Sequence, residues 1–279
     1  MPDLPAREQR PAYPSLPTTD PLTGEPFSMD LKAVKDAVQR TAGKLHITPI
    51  LSSVGAADAL RRSGGPALGD GRVRFKSEHL QRSGSYKVRG MLNRVARLVE
   101  FFGIEDVKRR GIITFSAGNA AAAYAWAGRA YGIPVEVVMP AKAVPAKIAA
   151  CKAYGATVHL VEGHMGTAGE LKNKLVAERG LIDAHPFDDP FVIAGHGSMG
   201  IEILEQIPEA DVVIGGLGGG GMLQAHGAAD GPAAGVLLHH NRGAAQLLVL
   251  AVRRHASEGG LQLHEAAHHG AAQLASQAA

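Results

Sequence analysis

Three times along this chain a short strand-like run breaks into a turn of glycine, serine or asparagine and then into a helical period. Val73-Arg74-Phe75-Lys76-Ser77-Glu78 leads to Ser83-Gly84-Ser85-Tyr86-Lys87-Val88-Arg89-Gly90, with a helix expected from Val88 through the flank of Met91, Leu92, Val95 and Ala96. Ile112-Ile113-Thr114-Phe115 leads to Ser116-Ala117-Gly118-Asn119 and an alanine-rich run from Ala120 to Ala130. Asp211-Val212-Val213-Ile214 leads to Gly215-Gly216-Leu217-Gly218-Gly219-Gly220-Gly221. Between the second and third turns, strand patterns over Val135 to Met139 and Thr157 to Val161 alternate with helical ones over Pro145 to Tyr154 and Gly166 to Arg179. Alternation of this kind predicts an α/β fold, because strands joined by helices lie parallel and need helices over the sheet.

Each turn offers a different chemistry. A lysine at a helix start with an apolar flank is a candidate for a desolvated amine that forms a Schiff base with a carbonyl cofactor. Taken alone the signal is modest, because a lysine near a helix start is usually just solvated. A serine–asparagine turn at a helix N-terminus presents donors to a carboxylate, and Ser116 can cap that helix at the same time. Four glycines after a buried strand leave backbone N–H groups bare and able to converge on a phosphate. Gly216 to Gly221 also fits the dinucleotide pattern G-x-G-x-x-G, which expects an acidic residue about 20 positions on. No Asp or Glu lies between Asp230 and Glu258, so a nicotinamide cofactor is set aside. His79, His185 and His196 lack metal-ligand spacing and no metal is expected. Cys151 lies in a helical run and reads as packing.

Composition narrows the class further. A chain of 279 residues with 46% hydrophobic and 20% charged residues can bury a sizeable core. One cysteine excludes an internal disulfide framework and suits a reducing, cytoplasmic setting. A formal charge of +3 without basic blocks gives no case for nucleic acid, and no apolar run is long enough for a membrane. Met1 to Phe27 is proline-rich and polar without an apolar core, so residues 1–28 are expected to be a disordered arm.

In this order the motifs resemble the pyridoxal-phosphate enzymes of the threonine dehydratase and serine racemase type, fold type II. The resemblance runs from Thr48-Pro49-Ile50 through the three turns, Tyr154-Gly155-Ala156, His185-Pro186-Phe187-Asp188-Asp189-Pro190 and Ala194-Gly195-His196-Gly197-Ser198-Met199-Gly200. It implies two lobes, each a mostly parallel sheet flanked by helices. Residues 29–110 and 189–222 would form the large cofactor-binding lobe, and residues 111–188 the small inserted one. Lys87 would carry the cofactor and take the substrate α-proton. Asn119 would bond the cofactor's phenolic oxygen, Ser116, Ala117, Gly118 and Asn119 would receive the substrate carboxylate, and Gly218, Gly219, Gly220 and Gly221 would hold the phosphate. The implied reaction removes the β-hydroxyl of a small amino acid such as L-threonine or L-serine, giving a 2-oxo acid and ammonia. Relatives of this type assemble as homo-oligomers.

A racemase on the same scaffold is the rival, but it needs a second acid or base, and Ala117 stands where racemases carry a serine. Ala120 also replaces the family's usual histidine. Residues 223–279 hold seven of the 13 histidines, no lysine and no aromatic other than histidine. They lack the family's last strands and its late Ser, Thr or Cys facing the pyridine nitrogen, and resemble translation of a shifted reading frame. The C-terminal part of the large lobe is thus expected to be missing or replaced. A non-catalytic remnant is the third reading. Ala244 to His255 is compatible with a helix.

Overall fold

The computed structural model describes residues 18–63, 73–208, 210, 212–217, 222, 234–238 and 246–252. Most of the expected arm lies outside them, but its end is ordered. Thr19 bridges Pro26, Leu22 N–H donates to Asp20 at 2.8 Å, and Arg97 reaches the same carboxylate at 3.1 Å. The Phe27 ring meets Phe191 edge-on at 5.3 Å. Residues 18–28 are therefore a docked turn, because an Asx turn and one buried aromatic contact offset the ordering entropy that proline-rich composition alone suggests would win.

Helix α1 (Leu31–Thr41) is capped by Asp30, which accepts from Ala33 N–H at 3.0 Å. Strand β1 (Ile50–Ser52), helix α2 (Val54–Arg62) and strand β2 (Arg74–Lys76) follow, with β1 and β2 antiparallel and Ile50 opposite Lys76. A single 3₁₀ turn, Glu78–Leu80, leads to a bend at Gly84, whose φ of +74° is open only to glycine at little cost. Helix α3 (Lys87–Phe102) begins immediately after that bend.

Helix α4 (Ile104–Arg110) delivers the chain to strand β3 (Ile112–Phe115). Helix α5 (Asn119–Tyr131), strand β4 (Val135–Pro140), helix α6 (Pro145–Ala153), strand β5 (Thr157–Val161), helix α7 (Met165–Arg179) and strand β6 (Ile182–Asp183) complete a four-stranded sheet. Its order is β5-β4-β3-β6, all parallel, with Ile112 opposite Val135 on one side and Ile182 on the other. Strand β4 is buried along its length, Glu136 included. That carboxylate is held by Arg179 at 2.6 Å and His159 at 2.7 Å, as a buried charge requires.

Helix α8 (Pro190–Gln206) is capped by Asp189 and packs on α3 and α1. The α3–α8 crossing depends on glycine. A Cβ on Gly90 would lie 2.5 Å from the His196 ring and would also strike the Val192 carbonyl oxygen, and one on Gly195 would lie 2.6 Å from the Arg89 carbonyl oxygen. The alanine-rich α5 does the same job for the sheet: Ala120 to Ala123 are all buried, small enough for α5 to sit between β4 and α3. One apolar cluster runs from Val88, Met91 and Leu92 through Ala120 and Tyr124 to Val137 and Met139.

Strand β7 (Val212–Leu217), strand β8 (Ala234–Leu238) and strand β9 (Gln246–Val252) form a three-stranded sheet in the order β7-β9-β8. Both of its pairings are antiparallel. Parallel pairing is thus confined, among the described residues, to 112–183. The short connection between β8 and β9 suits an antiparallel return, whereas a parallel neighbour needs a crossover of a dozen residues or more. Gln246–Val252 is a strand where a helix looked compatible, since a short apolar run carries no period that separates the two.

Candidate active site

Lys87 is the first residue of α3, and Val88 beside it is fully buried. Its Nζ lies 5.1 Å from the centre of the Tyr86 ring, which in turn meets His196 edge-on at 5.0 Å. Among the described residues no carboxylate pairs with this amine. Burial without a counter-charge holds its pKa down to about 8, from 10.5. Burial raises the Tyr86 phenol in the same way.

Two residues further along the same turn, Arg89 is treated in the opposite manner. Its side chain is 1% exposed and takes Glu78 at 2.8 Å and Glu202 at 2.6 Å. Burial would lower its pKa, but the bonds from Glu78 and Glu202 outweigh that and raise it. Lys76 joins from β2, donating to Glu202 at 2.5 Å, Gln206 at 2.7 Å and the Thr48 carbonyl at 2.8 Å. The four charges tie β2, the 3₁₀ turn, α3 and α8 together, and they hold the first turn of α3 in place. In the sequence Lys76, Glu78 and Arg89 stand in the motifs with nothing to mark this role. Charged partners such as Lys76 and Glu202, 126 residues apart, leave no local signal.

Ser116 to Asn119 join the end of β3 to the start of α5. Gly118 is the N-cap and no side chain caps the helix, so its first N–H groups stay available to an anion. Ser116 Oγ accepts from Gly118 N–H at 3.2 Å, stabilising the turn rather than the helix end. Ala117 packs against the core cluster. Asn119 is exposed and its Oδ1 accepts from Lys147 Nζ on α6 at 2.5 Å. Lys147 had no place in the sequence reading. Val88 and Ala120, which follow Lys87 and Asn119 directly, belong to one core cluster. No hydrogen bond joins Lys87 to Asn119 among the described residues. Gly218 to Gly221 lie outside the described residues.

The hydroxyls of Ser83 and Ser85, four and two residues before Lys87, are buried and have no hydrogen-bond partner among the described residues. Leaving a buried hydroxyl unpaired costs about 1–3 kcal/mol, so this turn is short of polar groups that a ligand can supply. An amine whose pKa is held down by burial, unpaired hydroxyls and bare helix N–H groups suit a phosphorylated aldehyde and an amino-acid carboxylate. His185 is half-buried and its pKa is lowered by that burial, and His196 is packed beneath Tyr86. Among the described residues no cluster of ligands could hold a metal, and no helix is long and apolar enough to cross a membrane. The cleft of about 230 Å³ lined by Phe27, Asp30, Asp36, Arg40 and Phe191 touches none of these turns.

The family described as pyridoxal-phosphate dependent enzyme matches residues 48–231. L-threonine ammonia-lyase of Thermotoga maritima is 35% identical over 202 residues, 72% of this chain and 45% of that protein. Serine racemase of Arabidopsis thaliana is 33% identical over 199 residues, 71% of this chain and 56% of that one. The crystal structure of T.th. threonine deaminase superposes with a TM-score of 0.60 at 34% identity, covering 72% of this chain and 60% of the other. The chain spans about half the length of the curated relatives it matches. Residues 48–231 take in the lysine turn, the serine–asparagine turn and the tetraglycine alike, and on that match the chain belongs to the pyridoxal-phosphate dependent enzymes.

Proposed function

We propose that this chain carries the cofactor-binding part of an ammonia-lyase that dehydrates a small β-hydroxy amino acid, L-threonine or L-serine, to a 2-oxo acid and ammonia. The observation that carries the reading is the Lys87 amine, half-buried, without a carboxylate partner among the described residues and held to about 8. Such an amine is neutral in a usable fraction at physiological pH, which suits both attachment to an aldehyde and removal of a proton. Lys87, Asn119 and Gly218 to Gly221 would hold the cofactor, with the last four taking its phosphate. When bound, pyridoxal phosphate supplies the electron sink for the carbanion at the substrate α-carbon.

The remaining steps belong to the protein. The first N–H groups of α5, with Ser116 and Asn119, orient the substrate carboxylate. Lys87 Nζ takes the α-proton, the bond from the β-carbon to its hydroxyl oxygen breaks, and the hydroxyl leaves as water with the proton that Lys87 took. The released enamine takes up one water outside the chain's control, giving the 2-oxo acid and ammonia. Racemisation needs a second proton carrier on the opposite face, and Ala117, apolar and packed on the core, has no proton to give. That observation favours elimination over racemisation. Self-association of the chain is part of the same reading.

The test is incubation of the full chain with pyridoxal phosphate and L-threonine or L-serine, measuring 2-oxo acid and D-amino acid together. Ketoacid with little D-isomer is expected. Rapid D-serine formation without ketoacid would overturn the reading in favour of a racemase, and a chain that forms no cofactor adduct would leave the remnant.

A further inference from the structure

We propose that Lys147 is a positioning residue that fixes the Asn119 amide so that its nitrogen, not its oxygen, faces the cofactor; the proposal rests on the reading of this site as a pyridoxal-phosphate site. Asn119 opens α5 directly after its glycine N-cap, and its side-chain oxygen accepts from Lys147 Nζ at 2.5 Å. An ammonium has three donors and no acceptor. It can therefore hold only the oxygen end of an amide. With Oδ1 engaged toward α6, the hydrogen-bonding capacity that Asn119 has left over for a ligand is chiefly the two N–H donors on Nδ2. A phenolic oxygen on the cofactor needs such a donor, and a flipped amide would set oxygen against oxygen.

The support beneath Lys147 is firm enough for the task. The loop from β4 into α6 is tied by Ala141 N–H to the Val161 carbonyl at 2.8 Å and by Ala143 N–H to the Pro140 carbonyl at 2.9 Å. Pro145 occupies the first turn of α6, where its fixed φ favours the helix and its missing N–H costs nothing. Cys151, one turn on from Lys147, is fully buried in the same cluster as Ala120 to Ala123 of α5. The two helix starts are thus joined through packed side chains as well as through the hydrogen bond. Lys142, exposed in the loop before α6, has a similar charge and no role in holding Asn119, which makes it a control for charge alone.

The experiment uses the full chain labelled at its four asparagines, Asn93, Asn119, Asn173 and Asn241. Loss of one side-chain amide pair in Asn119→Ala assigns the Asn119 resonances. In the cofactor-free protein, Lys147→Met is expected to shift that pair, Lys147→Arg to restore it in large part, and Lys142→Met to leave it in place. With pyridoxal phosphate added, Lys147→Met is expected to bind about tenfold more weakly, the loss typical of one charge-assisted hydrogen bond, and to move the visible absorption maximum of the adduct. An Asn119 amide unchanged by Lys147→Met overturns the proposal, and so does an equal loss of affinity in Lys142→Met. An unsubstituted chain that forms no adduct overturns the functional reading instead, and the amide spectra then still decide the Lys147 contact.

Discussion

Lys87 and Arg89 stand two residues apart in the first turn of one helix, and the protein gives them opposite electrostatic surroundings. Arg89 is clamped between Glu78 and Glu202, while among the described residues Lys87 meets the face of Tyr86 and no carboxylate. A carboxylate beside Lys87 would stabilise its ammonium and remove its usefulness as a nucleophile. Segregating the acids onto Arg89 and Lys76 secures the helix without raising the Lys87 pKa.

That segregation predicts which lysine reacts. Lys87→Ala should abolish the adduct that borohydride fixes after incubation with pyridoxal phosphate, whereas Lys76→Met should retain it with reduced thermal stability. Lys76 Nζ is already committed to Glu202, Gln206 and Thr48. Mass spectrometry of the reduced protein reads both outcomes, and survival of the adduct in Lys87→Ala refutes the assignment.

The pH dependence has a definite sign. Adduct formation needs the neutral amine, so its rate should rise about tenfold per pH unit on the acid side and level off above a pKa of about 8. In the unfolded chain the same amine titrates near 10.5. The unfolded state therefore binds more protons between about 8 and 10.5, and the Lys87 contribution to cofactor-free stability improves as pH rises through that window. Stopped-flow mixing and denaturant melts across that range check both statements. A rate still climbing steeply well above pH 9 would mean an ordinary lysine.

Removing Glu202 should be costly. Glu202→Ala leaves Arg89 with one carboxylate and Lys76 with none, and breaking a buried pair in this way costs about 3–5 kcal/mol. Burial would raise the Glu202 pKa, but Arg89 and Lys76 outweigh it and lower it. Its contribution is therefore present above the ordinary carboxylate range and is lost as acid carries the pH down through the depressed value. Urea unfolding of the two proteins at neutral pH measures the difference, and a loss below about 1 kcal/mol would show the clamp to be solvated.

Gly90→Ala tests the helix crossing. Its methyl group would meet the Val192 carbonyl oxygen and the His196 ring, with little side-chain freedom on the backbone side. Overpacking of this kind costs about 1–3 kcal/mol, and because Gly90 lies one turn after Lys87, the adduct should also form more slowly. Gly84→Ala, placed where φ is +74° with open space around it, should destabilise through backbone strain alone.

The alternation that announced an α/β fold was readable because the central strands of the parallel sheet are short, mostly apolar runs broken only by single polar residues, Thr114 in Ile112–Phe115 and Glu136 in Val135–Pro140. The placing of Lys87 and of Ser116 to Asn119 at turns that open helices was readable because turn chemistry is local. The clamp around Arg89 was not, since Glu78, Arg89 and Glu202 are charged residues that sequence alone assigns to solvent. Lys147 escaped for the same reason: a lysine in a helical run carries no mark of the amide it meets 28 residues earlier. The strand at Gln246–Val252 shows the converse limit, in which a seven-residue apolar segment takes its form from the strand it pairs with.

The span of the Arg89–Glu202 bond, 113 residues, sets an order on assembly. A chain emerging from the ribosome presents Lys87 and completes β3 to β6 before α8 exists to supply Glu202, His196 and the glycine face at Gly195. Contacts between segments so distant in sequence form late, once the entropy of closing the intervening loop has been overcome. Lys87 is therefore among the first of these residues to be synthesised and among the last to acquire its surroundings, so a nascent chain stopped short of residue 202 would present that lysine without the helix that packs behind it.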